Sequence, residues 1–158
     1  MKNVMLVFSA SAFFFASTAA CAFDVSEDML NQYIQQKISE KKAGRNVQIL
    51  NQKVSLLDGF ATICATVYAR TLAQDVGFCA DMTPKWRQET GSLLATKMVL
   101  ASLNAPGVNV QHIELVKTLL NQVVLPGLEG VEVYRADNFI GKQISWLKVL
   151  PGKVSMGF

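Results

Sequence analysis

Ile63-Cys64-Ala65-Thr66-Val67 and Val76-Gly77-Phe78-Cys79-Ala80-Asp81-Met82 are the two stretches that decide the fold class. In the first, Ile63, Ala65 and Val67 alternate with Cys64 and Thr66. In the second, Val76, Phe78, Ala80 and Met82 alternate with Gly77, Cys79 and Asp81. Successive side chains of a strand point to opposite faces, so each stretch is a strand with one apolar face, and both cysteines fall on the other. Paired antiparallel with Cys64 against Cys79, Val67 meets Val76 and Ala65 meets Phe78. A slip of one residue would set an apolar face against a polar one. In an oxidising compartment an isolated cysteine pair forms a disulfide. It reads as a staple across a hairpin, worth at most about 3 kcal/mol for so short a loop. A redox pair is the alternative, but no C-x-x-C spacing is present.

Working outward, 47–57 and 60–70 read as strands joined by the turn Asp58-Gly59, with 76–82 as the third strand and 92–103 as the fourth. Residues 83–91 read as a polar connection. Short connections of this kind make an antiparallel meander. Ahead of it, Ser26 is an N-cap, and Glu27 and Asp28 suit the positive end of a helix. Asp24 is grouped with them. Met29, Leu30, Tyr33, Ile34 and Ile38 follow at helical spacing, with Lys41, Lys42 and Gly44 at the close. Such an amphipathic helix docks on a sheet or lies on a membrane. After the meander, Pro106-Gly107 breaks the pattern. Ile113, Val116, Leu119, Leu120 and Val123 then recur at helical spacing, widened by Leu115 and Val124, until Pro126-Gly127 interrupts them. Residues 130–134 read as extended and 139–146 as a short helix. Pro151-Gly152 is a turn before a last strand in which Val154, Met156 and Phe158 alternate. The expected architecture is α+β: helix, four-stranded meander, helix and closing strand, with the helices on one face of the sheet.

The chain opens with Lys2 and the uncharged apolar run Val4 to Ala20, then Ala20-Cys21-Ala22. This is a secretory leader. As an A-x-A site it is removed as 1–22, leaving 23–158 as a single periplasmic domain. As a lipobox, Thr18-Ala19-Ala20-Cys21 is cut after 20 and leaves a lipidated Cys21, anchoring the protein to a membrane facing the periplasm. The A-x-A match is the closer, because Thr18 stands where such a box usually carries Leu. Either way Cys64 and Cys79 remain as the pair. Beyond the leader no apolar stretch reaches the roughly 18 residues a membrane span requires. The net charge is +3, with basic residues scattered and only Lys41-Lys42 adjacent. A nucleic-acid-binding stripe is therefore not expected.

The chemistry of catalysis is missing from the pattern. His112 is the sole histidine, and no zinc, EF-hand or phosphate-loop spacing occurs, so neither metal nor cofactor nor enzymatic activity is expected. Trp86, in the polar connection, is either an exposed recognition aromatic or packs over the hairpin. Apolar residues make up 51% of the chain, a surplus that either fills the core or lines a groove.

Three segments carry a resemblance. They are Val25-Ser26-Glu27-Asp28-Met29-Leu30-Asn31-Gln32-Tyr33-Ile34, the turn Pro84-Lys85-Trp86-Arg87-Gln88-Glu89-Thr90-Gly91-Ser92-Leu93, and Pro151-Gly152-Lys153-Val154-Ser155-Met156-Gly157-Phe158. In this order they resemble the YceB-like envelope lipoproteins, a family of unknown function. That family in turn resembles half of the tubular lipid-binding (BPI-like) fold, a curved antiparallel sheet wrapped around a long amphipathic helix. The resemblance implies a groove for a lipid or other apolar ligand. Its lining is expected from Val116, Leu119, Leu120 and Val123 on the helix, with Ile63, Val67, Phe78 and Met82 on the sheet. The loose lipobox and the Cys64/Cys79 pair depart from the family pattern. A second expectation is an adaptor that binds an envelope protein through a sheet edge or the Trp86 turn.

Overall fold

The structure, a computed structural model, describes residues 22–40, 47–69 and 74–158. The expected leader up to Cys21, and Lys41, Lys42 and Gly44, lie outside the described residues. The elements are β1 (Ala22–Ser26), α1 (Glu27–Glu40), β2 (Val47–Leu56), β3 (Ala61–Ala69), β4 (Gln74–Arg87) and β5 (Ser92–Asn104). After these come α2 (Val110–Leu119), a π-helical turn (Leu120–Val124), α3 (Leu125–Leu128), β6 (Glu132–Arg135), α4 (Asn138–Gly141), β7 (Trp146–Leu150) and β8 (Lys153–Gly157).

This is an α+β architecture with a strongly curled antiparallel sheet. The strand order is β2-β3-β4-β5-β6 in the curled sheet, and β1-β8-β7 in a second, three-stranded one. The hairpin has the register its alternation predicts: Cys64 faces Cys79, Ala65 faces Phe78 and Val67 faces Val76. Cys64 and Cys79 form a disulfide. The last strand does not close the meander as expected. It lies between β1 and β7 in the smaller sheet, because the Pro151-Gly152 turn, with Gly152 at φ 76°, folds it onto β7.

β4 also runs further than expected, through Pro84 to Arg87. Its pairing with β3 ends at Met82, so Pro84 is paired on one side only, with Ala95 of β5. A residue without an N–H is tolerated where no partner strand needs one. The connection shrinks to a turn at 88–91. The curl has local causes. β2 bulges between Leu50 and Lys53, with Asn51 at φ 53°, and β5 bulges near Lys97, at φ 52°. Such bulges bend a strand and increase its twist.

The curl brings the two edge strands to the same helix. On β2, the Asn31 side chain of α1 accepts the Val54 N–H at 2.6 Å and donates to the Val54 carbonyl at 3.0 Å. Glu27 accepts the Leu56 N–H at 2.8 Å. On β6, Glu132 accepts a short hydrogen bond from the Tyr33 hydroxyl. Ser26 caps this helix, accepting the Met29 N–H at 3.3 Å. Asp24 does not serve the helix as expected. It lies in β1 and accepts from Lys153 and Ser155 of β8.

α2, the π-helical turn and α3 follow without a break as one helix of 19 residues. Pro126 was expected to interrupt it. Proline lacks an N–H and clashes with the carbonyl four residues back. Here the Leu125 N–H bonds to the Leu120 carbonyl, five back, and the widened turn absorbs the proline. Val116, Leu120, Val124, Leu125 and Leu128 face the core. The helix expected at 139–146 is only Asn138–Gly141, and Trp146 starts β7 instead.

Candidate functional site

Six of the eight residues expected to line a groove are brought together, but in the packed core. Ile63, Val67, Phe78, Met82, Val116 and Leu120 are all at most 2% exposed. Leu119 is partly buried at the core margin, and Val123 is 49% exposed on the outer flank of the helix, as is Leu115. No cavity described below is lined by any of the four helix residues. Phe78 reaches a cavity of about 230 Å³ beside the disulfide, and Met82 one of about 420 Å³ beside Phe60 and Val99.

A cleft of about 600 Å³ runs between the far end of the β4–β5 pair and β7. Trp86 and Leu94 line it with Ile144, Trp146 and Leu147, and Lys85, Arg87, Glu89 and Glu129 add both signs of charge. Trp86 is not a free recognition aromatic. It is half-buried against the core, and its indole N–H donates to the Gly141 carbonyl at 2.9 Å. Gln88 donates to the Ile144 carbonyl at 2.6 Å. These two bonds hold the 141–144 loop against the turn after β4.

An apolar basin of about 440 Å³ opens at one end of the three-stranded sheet, where Ala22, Gly157 and Trp146 stand abreast. Its walls are Ala22, Phe23, Tyr134, Ala136, Ile140 and Phe158, with Asp137 as the one charged residue. The chain reaches this geometry through close approaches that only glycine allows. A Cβ on Gly141 would stand 2.6 Å from the Gly91 Cα, so α4 sits directly on the 88–91 turn. A Cβ on Gly157 would stand 2.5 Å from the Trp146 ring. α4 thereby presents Phe139, 76% exposed, beside Ile140 at the rim. The pattern of sequence periodicity missed these residues because they sit on short elements with too few turns to show a period. The available signal was Phe139-Ile140, adjacent apolar residues outside any periodic run.

Tyr134 links the basin to a polar cluster. Its ring lies 6.2 Å from that of Tyr33. Glu132 accepts from Tyr33, from the fully buried Ser92 at 2.7 Å, and from Arg135 at 2.6 Å. Burial opposes the ionisation of Glu132. The bonds from Tyr33, Ser92 and Arg135 outweigh it and hold the carboxyl below its ordinary value. The Tyr33 phenol is pushed up to about 12, first by burial and then by the Glu132 carboxylate it serves. Burial also raises Tyr134. With its carboxylate fully engaged, this cluster braces α1 against β6 and offers no spare base. His112 is exposed in the first turn of α2. Among the described residues no group of three or more His, Cys, Asp or Glu is placed to hold a metal ion. Among them, too, no helix is long and apolar enough to cross a membrane.

No protein-family model matches this chain, and no curated protein matches it.

Proposed function

We propose that this chain is a non-enzymatic protein of the periplasm that holds a lipid or another long apolar molecule, on a fold of the tubular lipid-binding kind. The observation that carries the reading is the open basin formed by Phe23, Tyr134, Ala136, Ile140 and Phe158. It is a concave apolar surface with a single charge at its margin, the chemistry of a site that binds by burial and selects weakly. The expected groove between helix and sheet is filled by its own side chains, so the binding place moves to the end of the small sheet. The leader in the sequence and the resemblance to the YceB-like envelope lipoproteins support the same compartment and ligand class. Native mass spectrometry of protein purified from the periplasm without detergent tests the reading. The expected result is a mass excess that leaves on denaturation, and that is lost in Ile140→Asp. A clean apo mass in the parent protein overturns it.

A second reading is favoured by the wide cleft beside Trp86. In it the protein is an envelope adaptor, and an extended segment of a partner lies between β4 and β7, matched to the mixed charges of Lys85, Arg87, Glu89 and Glu129. Arg87→Glu should then weaken capture of that partner while leaving bound lipid unchanged.

A further inference from the structure

We propose that the basin end of the molecule seats on the surface of a lipid bilayer, with Phe139, Ile140, Phe158 and Trp146 as the contact. The inference rests on the reading of the basin as an apolar binding site and adds where its occupant comes from. Four observations converge on one end of the three-stranded sheet. First, Phe139, Ile140, Trp146 and Phe158, four of the twelve large apolar residues exposed among the described residues, lie at that end. Ile140 and Phe158 share the rim of the basin, Phe139 projects beside Ile140, and Trp146 lies across Gly157, next to Phe158. Second, the gathering is rigid, since α4 is seated on the 88–91 turn by the Gly91–Gly141 approach and by the Trp86 bond to Gly141. A preorganised apolar rim loses little freedom on binding.

Third, the chain itself identifies the partner. Ala22, a wall of the basin, is bonded to Cys21, and the uncharged run Val4 to Ala20 ends just before it. Consecutive Cα atoms are about 3.8 Å apart. A lipid on Cys21, the lipobox outcome, would therefore deliver this end of the sheet, rather than any other, to the bilayer. Fourth, the composition suits the interface and not a charged surface. Phenylalanine and tryptophan favour the zone between headgroups and acyl chains. Of the nearby charges, Arg135 is tied to Glu132 and Lys153 to Asp24. Attachment is then apolar, and salt does not release it.

The experiment is vesicle flotation with the exported chain 23–158, which carries neither the apolar run nor Cys21, purified without detergent. The vesicles contain phosphatidylethanolamine and phosphatidylglycerol. The protein is expected to float with them, to stay bound at high salt, and to bind about tenfold more weakly or worse after Phe139→Ser with Ile140→Ser. Both positions are exposed, so the variant should melt like the parent protein. Val99→Ser, an exposed apolar residue next to a different cavity, should float normally. The proposal is overturned if the parent protein stays in the aqueous fraction. It is equally overturned if high salt releases the protein, if Val99→Ser loses as much binding as the double variant, or if the double variant only turns a dimer into a monomer. Co-purified lipid without flotation overturns the docking and spares lipid carriage. Flotation without co-purified lipid does the reverse.

Discussion

In the curled sheet both edges are covered by one helix, with Asn31 and Glu27 of α1 bonded to β2 and Tyr33 of α1 bonded to β6. Its inner face is sealed by Leu120 and its neighbours, and its hairpin is cross-linked by Cys64–Cys79. The three-stranded sheet is built oppositely. Its strands are five residues each, and one end opens onto the basin, with Phe139, Ile140 and Phe158 in solvent. The difference separates two tasks within one chain. Apolar residues that meet each other across the curled sheet contribute stability. Apolar residues left partly in solvent around the basin, beside close glycine contacts, are available to something outside the molecule.

The largest expected effect marks the sealed side. Leu120→Ala removes a fully buried side chain and should cost about 2–5 kcal/mol, read from the urea midpoint. Ile140→Ala at the basin rim should change stability by less than about 0.5 kcal/mol. If the two cost the same, the division between sealed and open regions fails. Replacing Cys64 and Cys79 together by serine should cost about 3 kcal/mol, given the 15-residue separation. Lipid content and flotation should be unaffected, since the disulfide lines a different cavity from the basin.

The smallest effect sharpens the border between the regions. The Glu132 carboxyl is held below its ordinary value in the folded protein. Its contribution is therefore present above the unfolded value of about 4.3 and is lost as pH falls through the folded one. Glu132→Gln should flatten the loss of stability on acidification. Tyr33 has the opposite sign: with its phenol pushed up to about 12, its contribution is lost as pH rises through that value. In Glu132→Gln its phenolate absorbance should appear at lower pH, and an unchanged Tyr33 titration would remove Glu132 as the partner that matters.

The sequence was most legible where two local patterns constrain each other. Alternation on both sides of the hairpin and a cysteine on each polar face left one register, and the structure has it. It was least legible where the deciding partner is distant. Pro84 looks like a strand breaker until β3 is seen to stop at Met82. Pro126 looks like a helix breaker until one turn widens around it. β1 and β7 are five-residue strands whose common neighbour is β8, and so short a segment carries too little period to declare itself. For the basin, the close approaches at Gly141 and Gly157 decide everything, and no spacing announces them.

The pairing of β1 with β8 also sets an order of events. Asp24 and Ser155 meet across 131 positions of chain, so the small sheet has no middle strand until residues 153–157 have reached β1 and β7. Contacts between such remote positions form late because the intervening chain must first be closed into a loop. Until then residues 22–26 have no sheet to join. The hairpin can form early and the curled sheet can collapse around it, but the end that carries the basin is finished last.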